Sequence, residues 1–340
     1  MSLSATAVTE HERNYLRLGG PFFDDLETGQ RVSSPGMTLT TGLAATHQAI
    51  LGDRSALALD SNLAAKVTGA GRQLAHAGFV WDVAIGQSTH FTQRAKANLF
   101  YRGLSFHRIP EIGDSLYTET EVIGLRENKH KDGRHPTGMM ALRIKTVDQH
   151  DRTILDFKRC AMLPMSSANV TTGHADDLTT IGGELDLVQV RNLVGGWDLS
   201  AHPGGPPLTV GYKVAAAFGD VVTSAPELAR LTLNLAAVHH DYRAAGIRRL
   251  VYGGHTIGLA GAQLSKTLPN LVAIVAWNSC DHLAPVHEND TVHSTIEVES
   301  IENLANGGQL AHLRSVVAKI DGVGQDPVDV LDWRIVGLLA

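Results

Sequence analysis

The chain has 340 residues, of which 43% are hydrophobic and 19% charged, with 34 Gly, 12 Pro and a formal net charge of -6. This composition excludes a disordered chain, and at about 100 to 200 residues per domain the length allows two or three domains or one large unit. No basic tract stands out as a phosphate-backbone footprint, which argues against a nucleic-acid partner. The longest strongly apolar run, Leu271 to Trp277, falls far short of the roughly 20 residues a membrane-spanning helix needs. Met1 to Tyr15 lacks the cationic start and apolar core of a secretory leader. Only Cys160 and Cys280 occur, without CxxC or disulfide-dense spacing, so the chain is expected in the cytoplasm with cysteines that carry no chemistry.

In chain order, the first strong signal is Ala77 to His90, apolar and rich in small residues, as expected of a helix buried on most faces. Extended runs follow at Ala97 to Phe106, Ser115 to Leu125, Gly138 to Val147 and Thr153 to Leu163. The charged stretch Arg126 to Arg134 contains Asp132-Gly133 and reads as a solvated hairpin loop. Residues 166 to 184 are polar, small and aperiodic, which suits a linker. The order then repeats: a helix at Thr256 to Thr267, and extended runs at Leu271 to Asn278, Thr291 to Ile301, Gln309 to Ile320 and Val328 to Leu339.

The repetition extends to individual residues. Ile154-Leu155-Asp156-Phe157-Lys158 recurs class for class as Val330-Leu331-Asp332-Trp333-Arg334, and Asp114-Ser115-Leu116-Tyr117 aligns at the same offset with Asp290-Thr291-Val292-His293. Asn98 pairs with Asn278 and His76 with His255 at offsets a few residues larger. A period this long means two copies of one domain rather than a solenoid. The expected organisation is an α+β fold of two halves, 1 to 165 and 185 to 340, each an antiparallel sheet wrapped around one central helix and each covering the other's exposed edge.

Certain stretches resemble a known family. Phe22-Phe23-Asp24-Asp25-Leu26-Glu27-Thr28-Gly29-Gln30, Arg230-Leu231 with Asn234 and Val238-His239, and above all Arg248-Arg249-Leu250-Val251-Tyr252-Gly253-Gly254-His255 are similar to the tandem hot-dog, MaoC-like acyl-CoA hydratase/dehydratases. The resemblance covers nearly the whole chain and is strongest to a branch acting on short branched dicarboxylic thioesters such as mesaconyl-CoA. It implies an acyl-CoA substrate, no cofactor beyond the coenzyme A of that substrate, and an oligomeric state left open, a homo-oligomer included. The family's motif, roughly GDxNPxHxD, pairs an Asp and a His on the catalytic water. The first copy keeps Asp53 but has Ala58 at the His position, and the second keeps His239 and Asp241 but has Asn234 at the Asp position. An alanine transfers no proton, so the resemblance implies a degenerate first half and a catalytic second half.

Within the second half, His239 is the expected base, since imidazole titrates near neutrality. Asn234 can orient the water without exchanging a proton, and Asp241 is a candidate for the missing acid. Backbone N–H groups after Gly253, at Gly254, His255 and Thr256, would polarise the thioester carbonyl as an oxyanion hole at a helix start. Arg248 and Arg249 are candidates for CoA phosphates or a distal carboxylate, and Asn278 for a wall of the acyl pocket. Bracing a helix start explains His255 equally well, and His76 reads as structural.

Other chemistries find less support. His239-His240-Asp241 with His282 and His287 lacks metal-ligand spacing. Gly69-Ala70-Gly71 and Gly204-Gly205 lack the context of a dinucleotide fingerprint, and no GxSxG elbow occurs. A hot-dog thioesterase and a catalytically silent acyl-CoA-binding protein remain as alternatives, the second because both motif copies depart from the pattern.

Overall fold

A computed structural model describes residues 19 to 183, 185 to 246, 248 to 320 and 326 to 340. Met1 to Tyr15, read above for a leader, lies outside the described residues. Eight long strands form the frame: β1 (Ala97–Phe106), β2 (Ser115–Glu127), β3 (Thr137–Val147) and β4 (Thr153–Pro164) from the first half of the chain, and β5 (Leu271–His282), β6 (Thr291–Asn303), β7 (Gln309–Ile320) and β8 (Val328–Leu339) from the second. All lie in one antiparallel sheet in the order β2-β3-β4-β1-β5-β8-β7-β6, with the short strands Arg31–Ser33 and Lys213–Ala215 at its two edges. The halves meet where β1 pairs with β5, Tyr101 opposite Cys280 and Leu104 opposite Trp277. An Arg102–Asp281 ion pair of 2.6 Å crosses the same seam. Each half thus closes the edge the other would leave open.

Burial along the strands follows the period of two. β2 alternates inward Leu116, Thr118, Thr120 and Val122 with more exposed neighbours, as expected of a sheet packed on one face. Packed against that face are helices α2 (Ala77–Gln87) and α4 (Gly253–Thr267). Every residue of α2 from Gly78 to Gln87 is buried, which is why its sequence shows no polar stripe. Close approach is enforced at Gly86, where an added Cβ would lie 1.6 Å from the Thr232 carbonyl oxygen. Trp81 of α2, Trp277 of β5 and Trp333 of β8 meet edge to face, with ring centroids 4.9 to 6.0 Å apart, so one aromatic cluster serves both halves.

The eight long strands fall at the expected places. The largest difference at a strand end is in β5, which runs to His282 instead of Asn278, while α2 ends at Gln87 instead of His90 and α4 starts at Gly253 instead of Thr256. The helices before each central helix were not foreseen, among them α1 (Thr41–Leu51) and α3 (Ala225–Leu231). Segment 166 to 183 does not run free: Asp176 accepts the Leu125 N–H, and Leu178 packs with Ala141 and Cys160. Among the described residues, no helix is long and apolar enough to cross a membrane.

Candidate active site

After α3 the chain turns sharply. Leu233 takes a left-handed backbone conformation, φ 62°, which a branched side chain adopts only under constraint. That constraint comes from neighbouring hydrogen bonds, Asn234 N–H to the Ala229 carbonyl and Leu235 N–H to Thr89 Oγ1 of the first half. A second tie runs from the Ala237 N–H to the Gln93 carbonyl. The Asn234 and His239 loop is therefore pinned to the turn that ends α2, and the motif depends on both halves.

Asn234 is buried, and its Oδ1 accepts the Ala236 N–H at 2.9 Å, which leaves the amide Nδ2 to face a ligand or water. His239 stands on a short 3-10 turn, its Nδ1 3.0 Å from the Leu250 carbonyl oxygen. A carbonyl only accepts, so Nδ1 carries the proton and Nε2 holds a free lone pair. Burial, with smaller contributions from His240 and Arg159, pushes the imidazole down to about 4 against the opposing effect of the Leu250 carbonyl. The ring is a neutral base across the physiological range.

A cavity of about 340 Å³ opens beside these residues, within the range of small-molecule sites. Its walls come from Asn234, His239, Tyr252, Gly253, Thr256 and His282 of the second half, and from Thr89, Thr92, Asn98, Tyr101 and Arg159 of the first. Gly253 and Thr256 occupy the first turn of α4, where backbone N–H groups lack helical partners and the positive dipole end lies. An added Cβ at Gly253 would lie 2.6 Å from the His282 ring, so bare backbone is required there. The arrangement provides a neutral base, an amide that can hold water, and a helix N-terminus.

Several expected residues are placed elsewhere. Asp241, the expected candidate for the acid, is bound to Arg243 at 2.7 Å and is not part of the cavity wall. Arg248 and Arg249 form ion pairs with Asp290 and Glu288; neither lines the cavity. Asn278 faces His312, Nδ2 to Nδ1 3.3 Å, outside the cavity wall, and its counterpart Asn98 is the one that lines it. His255 is fully buried with both ring nitrogens unpartnered, and burial pushes it down to about 3. Its ring is packed in the first turn of α4 and is not part of the cavity wall. At Gly254 an added Cβ would lie 2.1 Å from Tyr252 Oη and 2.3 Å from Asp82 Oδ1, so its missing side chain admits protein atoms rather than substrate.

In the first half, Asp53 follows Gly52, which ends α1 in the left-handed conformation at φ 68°. Burial works against the Asp53 charge, but His76 at 3.1 Å and hydrogen bonds from Ser265 and Ser55 hold the carboxyl below its usual range. Ala58 is buried, and neither residue lines the cavity. The nearest part of α4 to Asp53 is Gly261 to Ser265, whereas Gly253 and Thr256 line the cavity; at 1.5 Å per residue, Asp53 sits about two turns along the helix.

Sequence reasoning missed Arg159, Tyr252 and His282. For Arg159 a signal existed: it occupies an inward position of β4, in period with Leu155, Phe157, Ala161 and Leu163. The position related to it by the repeat offset of 176 is Ile335.

A continuous antiparallel sheet over two buried helices, made from two copies of one unit with a cavity between them, defines a double hot-dog protein. Two solved structures share it over nearly the whole chain. One is a conserved hypothetical protein from Mycobacterium tuberculosis described as having a double hotdog fold, with TM-score 0.88, 50% identity, and coverage of 96% of this chain and 100% of that one. The other is a putative MaoC domain protein dehydratase from Chloroflexus aurantiacus, with TM-score 0.84, 27% identity, and coverage of 96% and 99%. Among curated proteins, the beta-methylmalyl-CoA dehydratase of Chloroflexus aurantiacus is 31% identical over 297 residues, 82% of each chain. The mesaconyl-CoA hydratase of Cereibacter sphaeroides is 29% identical over 314 residues, 88% of this chain and 90% of the relative. No family model matches the sequence. On these relatives and this fold, the chain belongs to the MaoC-like hydratase/dehydratase family.

Proposed function

We propose that the protein adds water to, or removes it from, an enoyl-CoA thioester, at a single site where His239 is the base. The observation that carries this reading is the His239 ring: its tautomer is fixed by Leu250, and it stays neutral in a cavity that also receives Asn234 and the first turn of α4. In the hydration direction the Asn234 amide and His239 Nε2 hold a water. Nε2 takes its proton as the oxygen bonds to C3 and the C2–C3 double bond becomes an enolate. Backbone N–H groups at the start of α4 receive the charge on the thioester oxygen. The imidazolium then returns its proton to C2. One imidazole makes both transfers, so the carboxylate replaced at Asn234 is not required. The step consumes only water, and coenzyme A enters as part of the substrate.

A short branched dicarboxylic thioester such as mesaconyl-CoA is the proposed substrate, supported by the names of the curated relatives. We place the protein in the cytoplasm, where the two buried free cysteines Cys160 and Cys280 stay reduced. Incubation with mesaconyl-CoA, following enoyl absorbance and free thiol in parallel, tests the activity. Hydration bleaches the first without releasing thiol; thiol release identifies a thioesterase, and silence in both channels a binding protein.

A further inference from the structure

The cavity wall contains two cations, Lys96 and Arg159, and no Asp or Glu. Lys96 is exposed, but Arg159 is 4% exposed. An arginine so deep normally has a carboxylate partner. Among the described residues Arg159 has none: Nη2 donates to the Ser88 carbonyl at 3.0 Å and to Thr92 Oγ1 at 2.8 Å, the Tyr101 hydroxyl is a further neutral partner, and Nε is buried without an acceptor. Beside it on the same wall, both polar atoms of the Asn98 side chain are buried and unpartnered. The duplication sharpens the contrast. Ile335, at the repeat-related position, is fully buried between Trp277 and Leu313 on the neighbouring strands, while Arg159 lies between Tyr101 and Leu142. The fold accepts an apolar side chain at this place, and only the copy facing the cavity has a guanidinium.

We infer that Arg159, with Asn98 beside it, is the specificity-determining group of the site and binds a carboxylate at the far end of the acyl chain. The inference deepens the hydratase reading and rests on it for the identity of the reaction. A guanidinium with unused donors, held away from water, matches a carboxylate in charge and geometry. A site built around such a group rejects the analogue lacking its partner by large factors, because the buried donor is then left unpaired. The exposed Lys96 suits a CoA phosphate, a different anion at the solvent end of the same ligand.

The test compares mesaconyl-CoA with tiglyl-CoA, in which a methyl replaces the carboxylate. The unmodified protein is expected to favour mesaconyl-CoA in kcat/KM by about a hundredfold or more. Arg159→Met should collapse that preference to within about tenfold, and Arg159→Lys, which keeps the charge, should retain a larger part of it. An unchanged preference in Arg159→Met overturns the inference, as does a unmodified protein that hydrates both thioesters equally. Equal weakening of both substrates in a folded variant also overturns it, since that pattern belongs to a CoA-phosphate contact or a purely structural arginine. Calorimetry on the unmodified protein needs no variant to fold: succinyl-CoA should bind at least about tenfold tighter than butyryl-CoA. If neither enoyl thioester is hydrated but that binding preference is present, the hydratase reading fails and the carboxylate site stands. If hydration occurs without the binding preference, the reverse holds.

Discussion

The depressed His239 imidazole makes the pH profile of the reaction a quantitative test of the proposed base. An imidazole at its ordinary value near 6.5 would be about 9% neutral at pH 5.5 and 91% neutral at pH 7.5, a tenfold difference in available base. With the value pushed down to about 4, the ring is about 97% neutral at pH 5.5, so kcat/KM for hydration should be flat between those pH values. The activity should fall only toward pH 4, with the sign of a base that must be unprotonated in the free protein. The perturbation is therefore twofold: acidification of the unmodified protein from pH 7.5 to 5.5, and His239→Ala at pH 7.5. Removing the base should lower kcat by about a hundred- to ten-thousand-fold with the fold intact. Initial rates of enoyl absorbance loss give both numbers, and circular dichroism at each pH separates titration from unfolding. A break in kcat/KM near pH 6.5 would contradict the burial argument, and an active His239→Ala protein would sink the mechanism.

Other expectations follow from the same geometry. Asp53→Asn should change kcat far less than His239→Ala, because Asp53 lies off the cavity. It should still lower the urea midpoint by an amount equivalent to about 1 to 3 kcal/mol, since His76, Ser265 and Ser55 lose an ionised acceptor; equal loss of kcat in the two variants would mean that Asp53 reaches the reacting atoms. Stability itself should fall on mild acidification. His239 and His282 are pushed by burial down to about 4 and His255 to about 3, so below pH 6.5 the unfolded chain takes up protons that the folded one refuses. Each group then costs on the order of 1 kcal/mol at pH 5.5 relative to neutral pH, a few kcal/mol for the three. A denaturation midpoint unchanged between pH 7.5 and 5.5 would refute this. Gly86→Ala should destabilise by about 3 kcal/mol or more, because its Cβ would lie 1.6 Å from the Thr232 carbonyl oxygen at the contact between the halves. A midpoint within experimental error of the parent would show that the two backbones separate easily.

The eight long strands and the two central helices could be located in the sequence because their information is local. Alternating polarity in β2 and the predominantly apolar run of α2 are patterns that survive without knowledge of the partner, and the Phe157/Trp333 repeat disclosed the duplication before any packing was known. Short helices such as α1 and α3 had no such signal; their amphipathic stretches are brief, and the core they cover is assembled from distant strands. The candidate site divides in the same way. His239, Asn234 and the glycine-rich start of α4 lie within about twenty residues of one another and were recognisable from a motif. Arg159, Asn98 and Thr89 come from the other half and reach the cavity only because β1 pairs with β5 and the Asn234 loop is tied to the end of α2. Asp241, Arg248 and Arg249 looked suitable by type and proximity in the chain, but Arg243, Asp290 and Glu288 were the nearer charges in space. Which ionisable groups stay unpaired is a property of three-dimensional distances, since a charge is neutralised by whatever folding brings within a few ångströms. The sequence by itself determined the eight long strands, the two central helices, the duplication and the candidate base; the tertiary structure alone decided which half supplies the wall opposite that residue, and which arginine lines the cavity without a carboxylate partner.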